Sequence, residues 1–115
     1  MKTVEVILSP QARKVYEFLL RESNHSKIES SILKSLRQKT SLLKINPHYG
    51  DPISKKLIPK EYIEKYDITN LFRIELPNYW RMLYTLTEGE TKVEIIAFVL
   101  DIVNHKIYNK KFNYK

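Results

Sequence analysis

The chain has 115 residues, 43% hydrophobic and 29% charged, which fits a single domain over residues 1–115 and excludes a multi-domain enzyme. It has no cysteine and only two glycines, Gly50 and Gly89, so disulfide frameworks, cysteine–zinc sites and glycine-rich phosphate loops are excluded. The net charge of +7 is clustered: residues 31–60 hold seven basic residues and one acidic, and residues 102–115 hold four lysines and no acid, as suits either a polyanion such as RNA or DNA or a solvated lysine-rich surface.

No apolar run nears the ~18–20 residues of a membrane span. The start, MKTVEVILSP, has no apolar leader core, so the expected location is the cytoplasm, with no membrane contact.

The β-branched and apolar run Thr3–Leu8 predicts a short strand. Ser9-Pro10 then reads as an N-cap followed by a first helical residue. Ala12, Val15 and Leu19 form that helix's apolar stripe, widened by Phe18. A second helix starts at Ser26, where Ser26-Lys27-Ile28-Glu29 has the form of a capping box. Ile28, Ile32, Leu36 and Leu43 keep helical spacing to about Lys44, and Asn46-Pro47 ends the helix. The polar turn Ser23–His25 predicts an antiparallel helical hairpin.

Residues 45–58 read as a loop, with Lys55–Ile58 as a short extended stretch, and Pro59 opens a short helix through Tyr66. Three strands are expected next, Leu71–Leu76, Trp80–Leu86 and Lys92–Leu100, forming an antiparallel meander. A lysine-rich tail, Asn104–Lys115, closes the chain.

The meander's register follows from its alternation. A two-residue turn at Pro77-Asn78 would put the apolar set Phe72, Ile74, Leu76 and the set Trp80, Met82, Tyr84 on opposite faces. A three-residue turn, or one bulge, pairs Glu75 with Arg81 and Arg73 with Leu83, and brings both sets onto one face, as a half-buried sheet requires. Arg73, Glu75 and Arg81 then share the other face. The expected fold is α+β: an N-terminal strand and a two-helix hairpin packed on an antiparallel sheet of about four strands, with a basic C-terminal tail and one sheet face uncovered.

Four stretches resemble the RelE/ParE toxin superfamily. They are Val6-Ile7-Leu8-Ser9-Pro10-Gln11-Ala12, Asn70-Leu71-Phe72-Arg73-Ile74, Tyr79-Trp80-Arg81-Met82-Leu83-Tyr84 and Asp101-Ile102-Val103-Asn104-His105-Lys106-Ile107-Tyr108. They occur in the family's order and span the chain, although residues 52–69 make a longer connection than the family's passage from second helix to sheet. The resemblance implies a RelE-like fold and a toxin of a toxin–antitoxin module, neutralised by a cognate antitoxin. It implies an mRNA endoribonuclease, ribosome-associated and without a metal or other cofactor, in which a 2′-hydroxyl attacks the adjacent phosphorus. The alternative is a ParE-like inhibitor of DNA gyrase or another protein target, or an inactive family member.

Such cleavage needs a proton acceptor, a cation beside the charged phosphorane and a donor to the leaving oxygen. The resemblance assigns Arg81, His105 and Tyr108 as the catalytic set. From the residue types alone, Arg81 suits phosphate or a salt bridge to Glu75. His105 suits proton exchange or a surface position, and Tyr108 suits a base or the packing of the tail. Arg73, Lys55, Lys56, Lys106, Lys110 and Lys111 are candidate phosphate contacts or a solvated basic surface. His25 and His48 have no metal-ligand spacing, so no metal site is expected.

Overall fold

The computed structural model describes residues 3–89 and 94–113. Its elements are β1 (Thr3–Leu8), α1 (Pro10–Glu22), α2 (Lys27–Ile45), β2 (Asp51–Pro52), α3 (Lys60–Tyr66), β3 (Phe72–Leu76), β4 (Trp80–Glu88), β5 (Glu94–Val103) and α4 (His105–Lys111). The sheet order is β1-β5-β4-β3-β2, and β1 runs parallel to β5 while the other pairs are antiparallel. The fold is therefore α+β, as expected, but the sheet is five-stranded and mixed rather than antiparallel with about four strands. The two extra features have separate causes: β1 pairs in parallel with the late strand β5, and the loop after α2 adds the two-residue edge strand β2.

Ser9 caps α1, its Oγ accepting from the Ala12 N–H at 3.0 Å and donating to the Leu100 carbonyl at 2.7 Å. The expected capping box at Ser26 is replaced by a side-chain pair. The Ser26 hydroxyl donates to the Glu29 carboxylate, and no cap bond to the backbone forms. Phe18 lies outside the buried stripe, which is carried by Ala12 and Leu19 with Val15 and Tyr16 packed beside them.

The β3–β4 turn, Pro77–Tyr79, has three residues. Glu75 accordingly pairs with Arg81 and Arg73 with Leu83. Phe72, Ile74, Leu76, Met82 and Tyr84 pack under α1 and α2 in one core, with Trp80 at its margin. Each such buried side chain contributes ~1.5–3 kcal/mol relative to exposure. The Tyr84 hydroxyl donates to the Pro47 carbonyl at 2.8 Å and accepts from the Gly50 N–H at 2.9 Å, tying the 46–50 loop to the core.

The second sheet face is covered, contrary to expectation. Ile58, Tyr62, Leu71, Leu83, Leu100, Val103 and Tyr108 form a separate core beneath α3 and α4. The pairing of β4 with β5 shifts between Leu83 and Tyr84. The extra residue on β5 lets Leu100 and Asp101 both reach this face. The long 52–69 connection supplies half of this cover. Lys55 and Lys56 sit in a 3-10 turn, Lys55–Leu57, instead of an extended stretch. The C-terminal segment is a helix, not a loose tail: Asn104 caps α4 by accepting from the Ile107 N–H at 2.9 Å. Lys92 of the expected third strand and Lys115 of the tail lie outside the described residues. Among the described residues no helix is long and apolar enough to cross a membrane.

Candidate functional site

Pairing of β3 with β4 and docking of α4 bring Arg73, Arg81, His105 and Tyr108 together. Tyr108 is 2% exposed, at the centre of the second core. Its hydroxyl accepts from Arg73 Nη1 at 2.9 Å, and its ring carries the Arg81 guanidinium, with Cζ 4.6 Å from the centroid. Phe112 stacks on the same ring at 4.5 Å. The Tyr108 bond pushes the Arg73 pKa up from its ordinary value, against the effect of burial.

Arg81 makes no ion pair with Glu75 among the described residues. Its Nη1 lies 3.0 Å from His105 Nδ1 and also donates to the Tyr79 carbonyl. A guanidinium has only donors, so His105 Nδ1 is the acceptor and the neutral ring carries its proton on Nε2. That nitrogen lies 3.1 Å from Asn109 Nδ2, and Nε2–H cannot accept from an amide N–H. The neutral ring satisfies both neighbours when Asn109 presents its oxygen. The Tyr79 ring packs beside the imidazole, 5.6 Å between centroids.

The cluster is cationic. Arg73 has two acidic neighbours: Glu75, whose charge helps to raise its pKa, and the largely exposed Asp51 at 3.8 Å. The Nε atoms of both arginines are buried without a hydrogen-bond partner among the described residues. Two guanidinium groups converging on one neutral ring repel each other, and an anion shared between them relieves that repulsion through fork-shaped hydrogen bonds. His105 is exposed at the edge of the same site.

The lysines separate into two groups. Lys55, Lys56, Lys106 and Lys110 are exposed, and no hydrogen bond, ion pair or ring contact joins them to the arginine cluster among the described residues. Lys111 is committed elsewhere: its Nζ lies 3.0 Å from Glu61 Oε1 and 3.5 Å from Asp101 Oδ2. Asp101, 5% exposed, also accepts from the Tyr62 hydroxyl at 2.8 Å. This network ties α4 to α3 and β5. His25 and His48 sit in the α1–α2 turn and the 46–50 loop, and no group of His, Asp and Glu suited to a metal occurs among the described residues.

Sequence reasoning missed Tyr79, Asn109 and the Asp101 network. Tyr79 follows Asn78, and both have positive φ, 61° and 59°. Asparagine adopts that region readily, but a left-handed tyrosine leaves no sequence signal. Asp101 was visible as a charge inside an apolar run, which marks a buried, partnered group. Comparison of the chain with protein-family models, curated proteins and solved structures gave no match.

Proposed function

We propose that the chain is a RelE-like toxin that cleaves mRNA, restrained by a cognate antitoxin. The observation that carries this reading is the pair Arg73 and Arg81 on the Tyr108 ring with His105 alongside, at positions where the sequence resembles the family. In this reading a scissile phosphate draws Arg81 from His105 and from the Tyr79 carbonyl. The 2′-oxygen bonds to phosphorus as His105 Nδ1, released, accepts its proton, the guanidinium stabilises the phosphorane, and the P–O5′ bond breaks with the leaving oxygen taking a proton from solvent. Tyr108 acts as the platform that aims both arginines, because its hydroxyl is taken by Arg73 and its ring is buried. Lys55, Lys56, Lys106 and Lys110 attract the RNA backbone, ribosome-bound or free, without reading sequence.

The burial of Tyr108 and the pairing of Lys111 favour a second reading, a ParE-like inhibitor that acts by occupying a protein surface. Expression of the chain without an antitoxin separates the two. Growth arrest with fragmented mRNA, both lost in Arg81→Ala, supports the nuclease. Arrest with intact mRNA that persists in Arg81→Ala and His105→Gln supports the surface inhibitor.

A further inference from the structure

We infer that the cleft beside Arg81 is a nucleobase site selective for guanine, with Tyr79 as its stacking surface and Glu75 as its hydrogen-bond acceptor. The inference deepens the RNA-cleaving reading, because the base would enter with its phosphate on Arg81.

The cleft is open, about 370 Å³, and is lined by Glu75, Leu76, Asn78, Tyr79, Trp80 and Arg81. Tyr79 is 72% exposed, so its ring adds little to the core. Its backbone nonetheless holds a left-handed conformation, the second of two in succession and neither at a glycine. That is unfavourable for a tyrosine and tends to persist where position matters. The position is specific: the ring lies beside His105 and the carbonyl receives Arg81 Nη1. An exposed aromatic face next to a phosphate-binding arginine is how single-stranded RNA is held, with the base on the ring and its phosphate on the cation.

Glu75 supplies selectivity. It is exposed, and its carboxylate makes no hydrogen bond or ion pair among the described residues, although Arg81 lies directly opposite it on β4. Its charge acts on Arg73 through space, but no such bond occupies the carboxylate, so both oxygens stay open to a base in this cleft. An ionised carboxylate only accepts. Guanine presents two adjacent donors on its Watson–Crick edge, N1–H and the N2 amino group, which match the two carboxylate oxygens. Adenine, cytosine and uracil each present one donor there, so they leave one oxygen unpaired. Asn78, at the same rim, has an amide donor for guanine O6.

Trp80 is the chain's single tryptophan and lines the cleft, so its fluorescence reports entry of a base. The test is a titration of the purified protein with 3′-GMP, 3′-IMP, 3′-AMP, 3′-CMP and 3′-UMP at fixed ionic strength. The expected result is quenching of Trp80, with 3′-GMP binding about tenfold or more tightly than 3′-AMP, 3′-CMP or 3′-UMP. Inosine lacks the N2 amino group, so 3′-IMP falls between. Tyr79→Ala should weaken 3′-GMP by ~5–150-fold, the worth of one stacked base, while Tyr79→Phe keeps it. Glu75→Gln should erase the difference between 3′-GMP and 3′-IMP. Equal binding of all five nucleotides, or unchanged binding in Tyr79→Ala, overturns the inference. Guanine-selective binding without RNA cleavage keeps this site and removes the nuclease reading. Cleavage with no guanine preference keeps the nuclease and removes this site.

Discussion

Arg81 lies over the buried ring of Tyr108, its guanidinium carbon 4.6 Å from the ring centroid, while the hydroxyl of the same tyrosine is held by Arg73. One side chain from a C-terminal helix thus sets the spacing of two arginines on adjacent strands. The stacking requires a planar cation, and the phosphate fork requires the same group, so fold and site make the same demand of position 81.

Replacing Arg81 should therefore be costly to function and cheap to stability. Arg81→Ala is expected to lower RNA cleavage by ~100–1,000-fold, the usual loss for one charge-stabilising donor. Stability should fall by no more than ~2 kcal/mol, since the losses are the cation–π contact and two exposed hydrogen bonds, to the Tyr79 carbonyl and His105. Arg81→Lys keeps the charge but not the plane or the fork, and should recover little of the rate. Cleavage rates beside urea unfolding curves check both; a rate in Arg81→Lys close to the original shows that charge alone suffices.

Tyr108→Phe separates platform from proton donor. The substitution keeps the ring beneath Arg81 and removes the acceptor for Arg73 Nη1. A platform role predicts cleavage within about tenfold of the original and a stability loss of ~1–3 kcal/mol from the unsatisfied guanidinium. A hundredfold loss of rate would instead assign the hydroxyl to proton transfer. Tyr108→Ala empties the second core and should cost ~3–5 kcal/mol, as large aromatic truncations do.

The exposed lysines are expected to act through salt. Removing Lys55, Lys56, Lys106 and Lys110 together should flatten the dependence of RNA affinity on salt, by a slope of ~0.7 for each lysine that meets a phosphate on a single strand. Lys111→Ala, with its ammonium already paired to Glu61 and Asp101, should leave the slope unchanged and lower stability. A filter-binding series from low to high salt measures the slopes, and a slope unaltered in the fourfold variant makes those lysines a solvated surface.

The register of β3 and β4 was legible because only a one-residue shift from the two-residue turn, by a third turn residue or a bulge, puts Phe72, Ile74, Met82 and Tyr84 on one face. That step alone brought Arg73 and Arg81 to a common surface. The cover of that surface was not foreseen, although a signal existed. Glu94–Val103, EIIAFVLDIV, has almost no alternation, and an unbroken apolar strand is buried on both faces. Leu71 and Leu83 carried the same message from within the polar set. The parallel pairing of β1 with β5 was not readable, since apolar patterning fixes which face is buried and not the direction of a neighbour. His105 and Arg81 were each named from the sequence, but their hydrogen bond depends on where α4 docks, which is set by the remote pairing of Lys111 with Glu61 and Asp101.

That remote network should reveal itself at alkaline pH. Burial pushes the Tyr62 hydroxyl far above its ordinary value of 10.0, and the adjacent Asp101 charge and hydrogen bond push it further. Burial opposes the Lys111 ammonium, but the Glu61 hydrogen bond and the Asp101 charge outweigh it, so Lys111 also moves up from 10.5. Both groups hold their protons more tightly in the folded chain than in the unfolded one. Below about pH 9 both states are essentially fully protonated at these sites and the contribution to stability is complete. Above that pH the unfolded chain releases its protons first, and folding stability falls as pH rises toward the folded values. Tyr62→Phe should lower stability at pH 7 by ~1–3 kcal/mol, because buried Asp101 loses a donor. The same substitution should make the decline between pH 9 and pH 11 shallower, because the phenol no longer titrates. Urea unfolding of both proteins across that range decides it: parallel declines in the two would mean that Tyr62 does not carry the linkage, and that the tie between α3 and α4 rests on Lys111 alone.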